Sequence, residues 1–285
     1  MGVAALPARM VGMRGPDMLY LYHHNSSVCA AKPRIVFAEK RLAWDGEMLD
    51  LNAGDQFKPE YLKLNPKAVV PTLVHDGRVV IESNIIIEYL DDAFPERSLR
   101  PRHPWQRANM REWLKWLDDG SDGIHWAMTV VSYGASYRWQ LIELMGSDSR
   151  DALEAALTKT MNPTSQSWTR EVVLNGPRSK TFAMALRRLD SMLARFEETL
   201  SDQHWLAGPD YSLADVAYTS YVTRLELLGF ADMWRDRPRV GSWLESIKSR
   251  PSYAEVIGRY RPDFLKVLGE RGRRCWPEAK VLLAA

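Results

Sequence analysis

Cysteine is scarce. Cys29 and Cys275 are the two in 285 residues, far apart, and neither belongs to a Cys-x-x-Cys pair. That excludes a disulfide framework and a cysteine-based zinc site, and it fits a reducing cytoplasm. Long apolar runs are also missing. None approaches the roughly 20 residues that a membrane span needs. The Val-Ala-Ala-Leu patch near the start is shorter than the about 7–15 apolar residues of a secretory signal core. Charge of one sign is absent too. The net charge is +2, and no run of Lys and Arg interleaves with aromatics to track phosphates. Neither nucleic acid nor a membrane is an expected partner. His23 and His24 adjoin, but no carboxylate or cysteine at ligand spacing completes a set, so no metal site is expected.

What is present is ordinary globular material: 46% apolar and 26% charged residues, enough for two modest domains with cores. Met1 to Asp17 reads as a flexible extension. Residues 18–98 read as β-α-β-α-β-β-α. Leu19 to Tyr22 is β-prone, Cys29 to Lys40 has helical spacing, and Trp44 to Leu51 suits a second strand. A short helix or turn covers Phe57 to Leu64. Strands flank Asp76-Gly77, and Ser83 to Phe94 is an amphipathic helix stopped by Pro95. The β-α-β unit implies parallel strands and the hairpin adds antiparallel ones, giving a mixed four-stranded sheet.

Residues 104–275 read as helices throughout. Ten of the eleven tryptophans follow residue 104. Ile124 to Met145 reads as one long helix, and Asn162 to Pro177 as irregular, because Pro163, Gly176 and Pro177 break it. Ser212-Leu213-Ala214-Asp215 has the form of a capping box.

Residues 65–87 are the most informative stretch. Val70-Pro71 precedes a β-run, Asp76-Gly77 turns it, and Glu82-Ser83 opens a helix. A backbone clamp beside a helix start suits a small peptide-like ligand with a free carboxylate, because first-turn N–H groups favour anions.

The layout and motifs resemble the glutathione transferase superfamily. Leu-Asn-Pro-Lys-Ala-Val-Val-Pro-Thr-Leu at 64–73 is similar to its Asn-Pro-x-x-x-Val-Pro-x-Leu. Asp76-Gly77, Glu82-Ser83 and Ile87-Glu88-Tyr89-Leu90 match its later motifs, and Ser212-x-x-Asp215 matches its helical-domain capping box. Lys32-Pro33 and the segment near Pro163 to Pro177 look most like the bacterial β-etherase branch, which cleaves aryl ethers of lignin-derived compounds. The resemblance implies a thioredoxin-like α/β domain at 18–98 and an all-α helical bundle at 104–275. It also implies glutathione as cosubstrate, a cytoplasmic homodimer, and transfer of glutathione to an apolar, aromatic electrophile.

The resemblance further assigns roles. Val70-Pro71 would be cis and offer its backbone to glutathione's cysteinyl unit. Ser83 would cap its helix and bind the γ-glutamyl carboxylate, with Glu82 taking the ammonium. Gln56 and Lys58 are candidates for the polar ends. Catalysis needs glutathione as thiolate, and a drop of about 2 pKa units corresponds to about 2.7 kcal/mol. Ser27 falls where zeta- and tau-class enzymes carry their serine, and Cys29 where beta-class enzymes carry a cysteine. The etherase serine position falls on Ala30. Ser27, Cys29 and Asn25 therefore stand as alternatives. Trp113, Trp116, Tyr133 and Tyr137 are candidates for the second-substrate pocket, and Trp168 and Arg170 for a lid. Two alternative functions stay open: a glutathione-dependent thiol-disulfide oxidoreductase using Cys29, and a non-catalytic glutathione-binding protein.

Overall fold

The computed structural model describes residues 18–51, 53–160, 167–259 and 263–284. The extension expected at 1–17 lies outside them. The first unit runs β1 (Leu19–His23), α1 (Val28–Lys40), β2 (Asp45–Met48), α2 (Pro59–Leu62), β3 (Thr72–His75), β4 (Arg78–Ile81) and α3 (Ser83–Ala93). The strands lie in the order β2-β1-β3-β4, with β1 and β2 parallel and the other two pairings antiparallel. All five residues of β1 are buried, so both faces of the sheet are covered. Leu19 and Leu21 face the large core with Ile35 and Phe37 of α1, whereas Tyr20 and Tyr22 face a second cluster with Tyr61 and Val74. The period-2 alternation of a strand makes that division.

The loop before β3 is held from inside. Tyr61 OH and Asn65 Nδ2 both donate to the Val69 carbonyl, at 2.6 and 2.9 Å. The Val70–Pro71 peptide bond is cis.

The helical unit comprises α4 (Pro104–Leu117), α5 (Ile124–Ser132), α6 (Arg138–Met145), α7 (Arg150–Thr160), α8 (Ser167–Asn175) and α9 (Lys180–Thr199). It continues through α10 (Leu213–Leu227), α11 (Pro238–Lys248), α12 (Pro251–Tyr253) and α13 (Asp263–Ala284). Three expectations change. Ile124 to Met145 is not one regular helix. A π-helical turn, Tyr133–Tyr137, joins α5 to α6, and there Gly134 lets Phe182 of α9 approach so closely that an added Cβ would lie 2.5 Å from its ring. The stretch expected to be irregular contains α8, because Ser167 to Asn175 has no Gly or Pro and buries Thr169, Val172 and Val173 at helical spacing. Residues 161–166 of that stretch lie outside the described residues. β2 is four residues long, shorter than the eight expected.

The two units meet along α1 and α10. Ser220 Oγ donates to the Val28 carbonyl at 2.8 Å, Arg224 donates to the Ser26 carbonyl, and Arg250 makes a two-pronged bond to Glu39 at 2.8 Å for each nitrogen.

Candidate active site

α1 starts where it does because Ser27 caps it. Its backbone is extended, and its Oγ accepts from Ala30 N at 3.1 Å. Cys29 therefore sits in the first turn, where the helix carries partial positive charge. The thiol is partly exposed. Its Sγ lies 3.5 Å from His125 Nδ1 and 3.9 Å from Tyr221 OH, and those two groups are 3.2 Å apart. His125 comes from α5 and Tyr221 from α10, so the second unit completes the surroundings of a cysteine from the first.

Lys32, one turn after Cys29, is fully buried. Its Nζ donates to Ser83 Oγ at 3.1 Å and to Asn84 Oδ1 at 2.9 Å, and it lies 5.3 Å from the centre of the Tyr221 ring. Asn84 Nδ2 in turn donates to the Leu114 carbonyl and to Asp118 Oδ2. Burial opposes ionisation of Cys29. The charges of His125 and Lys32, with hydrogen bonds from His125 and Ser83, outweigh it and bring the thiol down to about 6. The thiolate in turn raises His125 above its ordinary value. Burial, then the charge on Cys29, pushes Tyr221 well up, so it stays a neutral hydroxyl.

Ser83 does not cap α3. Glu82 holds the cap position with φ +70°, without a side-chain cap bond, and Ser83 is the first helical residue. That turn aims the Ser83 hydroxyl at Lys32 and Cys29. The Glu82 carboxylate is bonded to Lys67 at 2.6 Å. Gln56 Nε2 donates to the Leu51 carbonyl, while its Oε1 is buried with no hydrogen-bond partner. Lys58 is exposed and paired with Asp55 at 2.6 Å. Asn25 and Ser27 line a cavity of about 30 Å³ with Ser220, Thr223 and Arg224.

The aromatic candidates separate. Trp113, expected in a pocket wall, is 1% exposed. Its ring packs edge-on against Phe196 and Tyr218, so it belongs to the helical core. Trp116 is half-buried under the Arg195 guanidinium, which covers both indoles. Tyr133 and Tyr137 have rings 4.9 Å apart and pack with the Leu141 and Leu153 cluster. Trp168 packs on Trp126 and Tyr133 and Arg170 pairs with Glu154, so both sit in a helix rather than a loose lid.

Sequence reasoning passed over His125, Tyr221 and Lys32 as site residues. The first two are 96 and 192 positions from Cys29, and no local spacing reports such a meeting. Lys32 left a signal. It stands three and four residues before Ile35 and Val36, on the buried face of α1. Among the described residues no group of three or more His, Cys, Asp or Glu side chains is set to hold a metal. No described helix is long and apolar enough to cross a membrane.

Residues 21–98 match the glutathione S-transferase N-terminal domain, and residues 151–246 match the C-terminal domain. The chain belongs to the glutathione S-transferase family. Among relatives of this transferase, Protein LigF of Sphingobium sp. (strain NBRC 103272 / SYK-6) is 33% identical over 260 residues, covering 89% of this chain and 98% of the relative. The tetrachloro-p-hydroquinone reductive dehalogenase of Sphingobium chlorophenolicum is 28% identical, covering 82% and 93%. The crystal structure of the β-etherase LigF superposes with a TM-score of 0.70 at 31% identity, over 85% of this chain and 99% of that one. The transferase is an enzyme, its first domain has the thioredoxin-like fold, and glutathione is its cosubstrate.

Proposed function

We propose that the transferase joins the glutathione thiolate to an aromatic electrophile, with cleavage of a β-aryl ether as the specific reaction. One observation carries the reading. The first turns of α1 and α3 converge, so that the buried Lys32 donates to Ser83 one helical turn from Cys29, and Ser83 helps to hold that thiol down. A sulfur held at the first turn and a carboxylate held at the second would bring glutathione between the two domains. The likeness to the β-etherase LigF and to the tetrachloro-p-hydroquinone dehalogenase, whose names concern an ether and a chlorinated aromatic ring, supports the substrate class. In the reaction the thiolate carbon–sulfur bond forms, the carbon–oxygen bond breaks, and a phenolate leaves. A cytoplasmic homodimer is part of the same reading.

The lowered thiol of Cys29 favours a second reading. A thiolate beside glutathione's sulfur repels a second thiolate, whereas it attacks a disulfide readily. In that chemistry Cys29 bonds to one sulfur of the disulfide and the other sulfur leaves as thiolate. Glutathione then attacks the mixed disulfide and frees Cys29. A β-aryl ether model compound incubated with glutathione decides between them. Under the first reading phenol is released, Ser27→Ala abolishes release and Cys29→Ser preserves it. The reverse pattern, with disulfide reduction lost in Cys29→Ser, establishes the second. Failure of the folded chain to bind glutathione-agarose would sink both.

A further inference from the structure

We infer that the buried ammonium of Lys32 is a shared counter-ion for two anions, the Cys29 thiolate and the carboxylate that glutathione brings to Ser83. The inference rests on the glutathione site proposed above.

An ion taken out of water costs several kcal/mol unless a partner compensates it. α1 carries two buried lysines, and they are treated differently. Lys40 is bonded to the Asp91 carboxylate at 2.7 Å and to the Arg97 carbonyl at 2.8 Å. Lys32 is buried more completely, yet its contacts are a hydroxyl, an amide oxygen and the face of a phenol ring, all neutral. The acid Asp118 is reached through Asn84. The place where an anion would compensate Lys32 is therefore beside Ser83 and the partly exposed Cys29. Cys29 stands one turn back on the same helix, and Ser83, which accepts from Lys32, helps to hold the Cys29 thiol down.

The other groups facing Cys29 divide the work. His125 comes from α5 and Tyr221 from α10, and they touch the sulfur. Lys32 is the one that also holds Ser83. Removing the Lys32 charge should therefore weaken both anions, while removing His125 should weaken the thiolate alone.

Two measurements test this on folded protein. S-methylglutathione, which keeps both carboxylates and lacks a free thiol, is titrated by calorimetry. The pH midpoint of Cys29 alkylation by iodoacetamide is read in parallel. In Lys32→Met the dissociation constant should rise about tenfold and the midpoint by about one pH unit. His125→Asn should raise the midpoint and leave the dissociation constant in place. A Lys32→Met protein in which either quantity stays unchanged overturns the shared role. Should Lys32→Met fail to fold, His125→Asn supplies the test. Its Cys29 should still react with anionic iodoacetate, relative to neutral iodoacetamide, several-fold faster than free cysteine does, and a ratio equal to that of free cysteine overturns the inference. If the unsubstituted chain does not bind S-methylglutathione, the glutathione site itself is wrong, a separate failure.

Discussion

The two cysteines show how far one side chain's chemistry depends on its surroundings. Cys29 has the His125 imidazole from another domain, the buried Lys32 and a helix start, and its thiol comes down to about 6. Cys275 is sealed in α13, where burial and then the Glu278 charge push its thiol up to about 12. At pH 7, iodoacetamide should therefore add one carbamidomethyl group to the native chain, at Cys29, as peptide mass spectrometry would show. Labelling of both thiols before unfolding would refute that. The sign of the stability effect follows. Because folding lowers the Cys29 pKa, its stabilising share is complete above the unfolded value near 9 and is lost as pH falls through about 6. The sequence offered Ser27 and Cys29 as neighbouring candidates for the chemistry. It could not rank them, since the ranking depends on His125 and Tyr221, which only the fold brings near. Ser27 is a helix cap whatever else it does. Its Ala variant should lose about 1 kcal/mol of stability in urea denaturation, so activity losses there need comparison on folded protein.

Elements with a local cause were the legible ones. The Asp76-Gly77 hairpin and the capping box of α10 follow from turn and cap chemistry contained within a few residues. The box is built as read: Ser212 and Asp215 exchange side-chain-to-backbone bonds. Asp215 does more than the motif implies, for its carboxylate also accepts from Leu206 N at 3.0 Å and Trp243 Nε1 at 2.9 Å. Asp215→Asn replaces one oxygen by a donor that faces other donors. The expected loss is on the order of 3 kcal/mol, read as a lower urea midpoint with an unchanged slope. A loss under about 0.5 kcal/mol, the size of a plain surface substitution, would mean that the network is dispensable. The π-helical turn and α8 were less legible for the opposite reason. Gly134 is explained by Phe182 of α9, almost fifty residues away, and the breakers Pro163 and Gly176 flank α8 without entering it.

At the scale of the whole molecule, the docking of the two domains assembles the candidate site, because Cys29 and Ser83 belong to one domain and His125 and Tyr221 to the other. Glu39 is a principal fastening of that docking. It accepts two bonds from Arg250 and one from Ser252, and Arg250 also stacks 3.7 Å over the Tyr211 ring. Burial opposes its ionisation, but the bonds from Arg250 and Ser252 outweigh it and hold the carboxyl below its ordinary 4.5. A depressed carboxylate stabilises the fold fully above the unfolded value and loses that share as pH falls below it. Glu39→Gln should therefore cost about 2 kcal/mol at pH 7, below the roughly 3–5 kcal/mol of a fully buried pair because this one is partly exposed. The gap from the unsubstituted chain should narrow as pH drops below 4.5. Because the fastening lies between domains, loosening it should also slacken the contact of His125 with Cys29. The alkylation midpoint of Cys29 would then move upward in Glu39→Gln although the substitution touches neither residue. Chemical denaturation at pH 7 and pH 4, with the alkylation profile of the same variant, checks both halves. A midpoint fixed at its original value alongside a lower stability would show that the contact of His125 with Cys29 does not depend on the Glu39 fastening.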